Sequence, residues 1–181
     1  MAEPAAAPRT ALAGLALPIG GPQAGVRDAG PLCRFVCRGD GGIFGVALPQ
    51  RPCRAEIAGQ RAALWLGPDE WLLMAPAGEA ASLCRGLREA VAGRAASVVD
   101  VSHRNAGLVV EGPMADHLLA AGCPLDLDPD GFPVGMATRT LFAKAEIVLW
   151  RPAPEVFRLE VGRSFAPYLV GQLTEVLRDL L

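Results

Sequence analysis

Asp100, Ser102, His103 and Arg104 stand within five consecutive positions, in the stretch VVDVSHRNAGLVVEGP (98–113). Acid, hydroxyl and imidazole are the parts of a nucleophilic hydrolase, where a base deprotonates serine and an acid orients the base. In an extended strand, however, Asp100 and Ser102 project to one face and His103 to the other. Neither a nucleophile-elbow pattern nor an oxyanion donor accompanies the group. Asp and Ser beside a turn commonly bond nearby backbone amides. Structural capping therefore comes first, a ligand or partner contact second, and hydrolysis last.

Other groups invite chemistry and lack its context. Gly39, Gly41 and Gly45 in GDGGIFG approximate a dinucleotide fingerprint, which needs a helix to start there. Pro49 and Pro52 follow too soon, so the stretch reads as a turn. Asp126, Asp128, Asp130 and Gly131 copy the first half of a calcium loop. Its twelfth position, a bidentate Glu in such loops, is Ala137, and Pro133 interrupts it, which leaves a solvated acidic turn. Cys33 and Cys37 share a strand face with Phe35 and have no second Cys/His pair nearby, so they read as small buried hydrophobes. His117, between Asp116 and two leucines, reads as a surface or boundary histidine. No catalytic residue and no metal ligand is assigned.

The hydrophobic pattern outlines the elements that position these groups. LCRFVCRG alternates, with Arg34 and Arg38 on the outer face of a half-buried strand. AALWLGPDEWLLMAP is strand, Gly-Pro-Asp turn, strand. GEAASLCRGLREAVAG carries Leu83, Leu87 and Val91 at helical spacing and stops at Gly93. ASVVDVS and AGLVVEG are strands joined by the polar knot, and PMADHLLAAG is a short helix. TRTLFAKAEIVLW and VFRLEVG are strand-like. The last helix, from about Ser164, gathers Leu169, Leu173, Val176, Leu177 and Leu180 on one stripe.

One internal likeness organises the chain. LWLGPDEWLLMA (64–75) and LWRPAPEVFRLEV (149–161) share Leu-Trp, a Pro-bearing turn and a Glu five residues after the Trp. An apolar strand and an amphipathic helix follow each. The repeat is too long for a solenoid and fits a duplicated β-β-α module. The expected class is α+β, mostly antiparallel sheet with helices on one side. Residues 1–28 read as a flexible Ala/Pro/Gly-rich arm. Residues 29–181 read as one domain of two halves, about 29–97 and 98–181. A net charge of −2, without a basic tract, argues against nucleic acid. No stretch reaches the roughly 18 apolar residues of a membrane span. The start lacks a basic leading region, and five unframed cysteines fit a reducing cytoplasm.

The motifs Asp100-Val101-Ser102-His103-Arg104, Gly112-Pro113, Cys123-Pro124-Leu125-Asp126-Leu127 and Arg163-Ser164-Phe165-Ala166-Pro167-Tyr168 stand in this order. With LAGLALP and LWLGPDEWLLMAP, they resemble the gamma subunit family of heterotetrameric sarcosine oxidase over most of residues 10–181. Asp100 to His103 and the following Gly-Pro also resemble, more distantly, the folate-binding aminomethyltransferase superfamily, and the duplicated module is compatible with part of that fold. The resemblance implies a bacterial complex that converts sarcosine, oxygen and tetrahydrofolate to glycine, hydrogen peroxide and 5,10-methylenetetrahydrofolate. It implies that FAD, FMN, NAD and tetrahydrofolate belong to the alpha and beta subunits and zinc to delta. The gamma chain is then a non-catalytic partner packed chiefly against alpha, binding no cofactor itself.

For such a partner, Arg104, Arg139 and Arg163 are the expected carboxylate contacts, since arginine forms bidentate pairs. Trp65, Trp71 and Trp150 are expected anchors, although strand tryptophans are more often core. The alternative is a standalone folate binder, with Asp100, His103 and Arg163 as its ligand contacts. The Lys-Gly-Cys-Tyr motif of folate-binding tRNA-modification factors is absent, because Ala145 follows Lys144. A small flavin- or metal-binding module is a third reading.

Overall fold

A computed structural model describes residues 10–39 and 46–180. From the N-terminus run β1 (Ile19–Gly20), β2 (Gly25–Asp28), β3 (Leu32–Arg38), β4 (Ala55–Ala58), β5 (Arg61–Gly67) and β6 (Glu70–Pro76). Then come α1 (Ala80–Val91), β7 (Ser97–Asp100), β8 (Asn105–Glu111) and α2 (Ala115–Ala120). The chain closes with β9 (Ala137–Phe142), β10 (Ala145–Ala153), β11 (Val156–Gly162) and α3 (Ala166–Leu180). Strand pairing is antiparallel throughout the described sheets. The class is α+β, as the sequence pattern implies.

The duplication is visible in the sheets. One has the order β4-β5-β6-β3-β7, the other β1-β2-β8-β11-β10-β9. Strands β3 to β6 with α1 repeat as β8 to β11 with α3. Both Leu-Trp strands break register just after the tryptophan, between Trp65 and Gly67 and between Trp150 and Ala153. Proline cannot donate to a ladder, which explains why Pro152 falls inside the second irregularity. The two halves also interlock. β2 precedes β3 in the chain but pairs with β8, while β7 precedes β8 but pairs with β3. Each half thus contributes its leading strand to the sheet of the other. The polar knot joins β7 to β8 and so carries the chain between sheets.

Alternation assigns the faces. Phe35, Trp71 and Leu73 pack against Leu87 of α1. Leu64, Leu72 and Met74 turn the other way, onto Val148 and Trp150 of the second sheet. Ile147, Leu149, Phe157 and Leu159 meet Leu118 of α2 and Leu169, Leu173 and Leu177 of α3. The layers therefore run α1, five-stranded sheet, six-stranded sheet, α2 with α3. Each sheet carries its helices on its outer side. Burial of Leu169, Leu173 and Leu177 is worth about 1.5–3 kcal/mol each, so this stripe does much to hold the helix. Gly93, at φ 75°, ends α1 in the left-handed region, as its place in the sequence implies.

Two expectations change. Residues 10–28, read as part of a flexible arm, belong to the fold. Leu12, Ala24 and Val26 are buried in the core, and β2 is hydrogen-bonded to β8. Ala/Pro/Gly composition masked a short strand that needs a partner from elsewhere in the chain. The face of β3 assigned to solvent is covered at Arg34, only 4% exposed, because the second sheet packs over it. Arg38, at the strand's end, is exposed as expected.

Candidate functional site

The knot is built by short-range bonds. The Asp100 carboxylate accepts from the Ser102 amide at 2.9 Å and from the Ser102 hydroxyl at 2.6 Å. Ser102 Oγ in turn accepts the Arg34 amide at 2.9 Å, and Arg34 O accepts the Val101 amide at 2.9 Å. A tight turn follows, with Arg104 N donating to Val101 O at 2.9 Å. The Arg163 amide donates to Arg104 O at 2.8 Å, and its guanidinium reaches His103 O at 3.4 Å. These bonds pin the crossover to β3 on one side and to the entry of α3 on the other. The serine proton points to Asp100 and not to imidazole, and the exposed His103 makes no bond with Ser102. Partial burial pulls the Asp100 carboxyl up. The two Ser102 hydrogen bonds, with the His103 and Arg88 charges, outweigh it and leave the group below its ordinary value.

Two hollows adjoin the knot. The first, about 390 Å³, is lined by Asp100, Ser102, His103 and Arg163 together with Thr10, Leu12, Asp28 and Arg34. It brings together the three residues named as folate contacts. The second, about 610 Å³, is lined by Val101, Arg104, Arg139, Arg163, Lys144 and Phe165, among others. It unites the three arginines named as partner contacts. Asn105 and Arg163 line both hollows.

Two Arg–Glu–Arg triads, unforeseen from the sequence, cross from one sheet to the other. Glu160 of β11 accepts Arg34 Nε at 2.5 Å and Arg158 Nε at 2.9 Å, and is itself 2% exposed. Gly107 lies opposite Glu160 in the ladder. A Cβ there would stand 2.8 Å from Arg34 Nη2 and 2.9 Å from Glu160 Oε1, so glycine makes the room this pair occupies. Glu70 of β6, 6% exposed, bridges Arg38 of β3 and Arg139 of β9. Arg139 is therefore already engaged within the chain, while its side chain remains 43% exposed.

Trp71 and Trp150 lie in the core, the commoner place for a strand tryptophan, and not on the surface an anchor needs. Trp71 and Trp150 are 6% and 7% exposed, and the Trp71 indole donates to Pro49 O at 2.9 Å. Trp65 is half-buried against the α1 layer. The remaining motifs take their plain readings. Cys33, Phe35 and Cys37 share one buried face, and burial pushes the Cys37 thiol up to about 11. Asp126 and Asp128 each accept the amide two residues on, at 3.0 and 3.1 Å. Among the described residues no cluster of three His, Cys, Asp or Glu could hold a metal. Buried Arg151 holds the acidic loop by donating to the carbonyls of Leu127 and Phe132. His117 is exposed and bonds Asp116. Gly41 and Gly45 of the glycine-rich stretch lie outside the described residues.

Comparison with known proteins gives one answer at three levels. Residues 43–177 match the family model described as sarcosine oxidase, gamma subunit family. Sarcosine oxidase subunit gamma of an Arthrobacter species is 40% identical over 139 residues, covering 75% of this chain and 66% of that one. The subunit of that name from Corynebacterium sp. (strain P-1) is 34% identical over 138 residues, with the same coverage. The matched stretch thus spans just under two thirds of these relatives. A chain of the heterotetrameric sarcosine oxidase from Corynebacterium sp. U-96, solved with pyrrole 2-carboxylate, superposes with a TM-score of 0.87. It is 28% identical, with 95% of both chains covered. The glycine cleavage system aminomethyltransferase T of Bartonella henselae shares the fold, with a TM-score of 0.61 at 16% identity. That match covers 83% of this chain and 45% of the other. By its sequence and its fold, the chain belongs to the sarcosine oxidase gamma subunit family.

Proposed function

We propose that this chain is the gamma subunit of a heterotetrameric sarcosine oxidase, serving as an assembly partner and not as a reaction centre. The observation that carries this reading is the superposition on the U-96 oxidase over nearly the whole of both chains. The geometry of the knot supports the second clause, since the Ser102 hydroxyl is committed to Asp100 and to the Arg34 amide. On this reading the complex oxidatively demethylates sarcosine in the cytoplasm. FAD, FMN, NAD, tetrahydrofolate and zinc are then held by the alpha, beta and delta subunits, and this chain packs chiefly on alpha. Nucleic acid and membranes play no part. No described helix is long and apolar enough to cross a bilayer.

The test is purification of the tagged chain from its native cells, peptide mass fingerprinting of what accompanies it, and a sarcosine-dependent peroxide assay. A stoichiometric flavoprotein complex, with the isolated chain inert, is the expected result. One observation favours a second reading: Asp100, His103 and Arg163 do line a single hollow. A chain that purifies alone and holds tetrahydrofolate 1:1 would establish that reading and end the first.

A further inference from the structure

We propose that the larger hollow beside the knot is a docking groove, and that its occupant is an extended, apolar, carboxylate-bearing segment of a partner chain. This rests on the gamma-subunit reading and adds the surface and the chemistry of what fills it. The groove has a hydrocarbon floor, including Val36, Leu72 and Val148, and two hydrocarbon walls that water reaches. Those walls are Leu141 and Phe165, each 47% exposed, two of five large hydrophobics left open among the described residues. Exposed apolar side chains scattered singly carry no message, whereas two converging on one groove mark a contact surface.

The charges decide the occupant. Arg104, Arg139, Lys144 and Arg163 line the groove against Glu146 and Glu160. Glu160 is already held between Arg34 and Arg158. Neither Arg104 nor Lys144 enters a side-chain hydrogen bond or ion pair among the described residues. A chain whose net charge is −2 thus brings two unpaired cations, Arg104 and Lys144, to a groove whose lining is part hydrocarbon and part charged. A basic segment would be repelled there, and a bare inorganic anion would leave Leu141 and Phe165 wet. An amphipathic acidic segment meets both demands. β9, which carries Arg139 and Leu141, ends the six-stranded sheet; its first residue, Ala137, already donates to Cys53 O, and an extended segment laid along the strand beyond it gains backbone bonds as well. The knot holds one wall of this groove, because its bonds fix Arg104 and Arg163.

Co-expression of the tagged chain with the other oxidase subunits tests this directly. Arg104→Glu with Lys144→Glu, and separately Phe165→Ser, should lower recovered complex at least tenfold. Val134→Ser, at an equally exposed apolar site outside the groove (49% exposed), should change it less than twofold. A photo-crosslinking benzoylphenylalanine at position 165 should label a partner peptide containing Asp or Glu among apolar residues. Normal assembly by both groove variants would overturn the proposal, as would a crosslink to a basic segment or to a second copy of this chain. Should a groove variant lose its fold, the crosslink decides. If the unmodified chain assembles with no oxidase subunit, the gamma-subunit reading itself fails; normal assembly with insensitive variants removes only the groove.

Discussion

The Arg34–Glu160–Arg158 triad lies sealed between the sheets, whereas Arg38–Glu70–Arg139 sits at their rim with its arginines 57% and 43% exposed. Both place one acid between two guanidinium groups, and both tie one sheet to the other. They differ in access to water. In the sealed triad little water reaches a charge once a partner is lost, although Arg34 and Glu160 each border a hollow, so each member depends strongly on the others. At the rim, water replaces a missing partner, and the same contacts are worth far less. The sealed triad consequently fixes how the sheets stack, while the rim triad leaves Arg139 reachable on the wall of the docking groove.

Deleting the sealed acid should show the largest effect. Glu160→Gln leaves Arg34 and Arg158 without a counter-charge and should cost about 3–5 kcal/mol in urea unfolding. Equal losses for Glu160→Gln and Glu70→Gln would break the distinction. Gly107→Ala should follow, at about 1–3 kcal/mol, because its Cβ intrudes on the ends of Arg34 and Glu160, which must shift within their ion pair to admit it. Glu70→Gln should cost on the order of 1 kcal/mol and lose much of that effect in high salt. The sealed variant should respond little to salt.

The smallest effect is a pH dependence at the knot, which anchors Arg34. Asp100 titrates below its unfolded value, so its contribution is present above about pH 4 and lost as pH falls through the folded pKa. The stability gap between the native chain and Asp100→Asn should therefore narrow as pH falls below about 4. A gap that widens on acidification would contradict this assignment.

Much of this was legible from spacing. The paired Leu-Trp hairpins, α1 with its Gly93 stop and the leucine stripe of α3 follow from alternation and helical period. Arg34, Glu70 and Glu160 were not, because a charged residue on an alternating strand reads as solvent-facing. Alternation assigns a face and is silent on whether a second sheet covers it. The N-terminal strand escaped for a related reason, since β2 is short and acquires its partner far along the chain, at β8, where Val26 pairs with Val110. The arginines of the groove stood out in the sequence as a residue type suited to carboxylates, whereas Leu141 and Phe165 gained meaning only from their convergence. Of the three tryptophans, Trp71 and Trp150 are core and Trp65 is half-buried, as bulky strand residues against packed layers tend to be.

The central claim is that the knot holds the crossover and the groove wall and does no chemistry. Sarcosine-dependent peroxide production per assembled complex, measured for Ser102→Ala and His103→Ala, tests it most directly. Turnover should stay within twofold of the unmodified complex, with Ser102→Ala showing only a stability loss of about 1 kcal/mol from the freed Arg34 amide. A hundredfold fall in turnover within fully assembled complexes would contradict it and return the knot to the role of an active site.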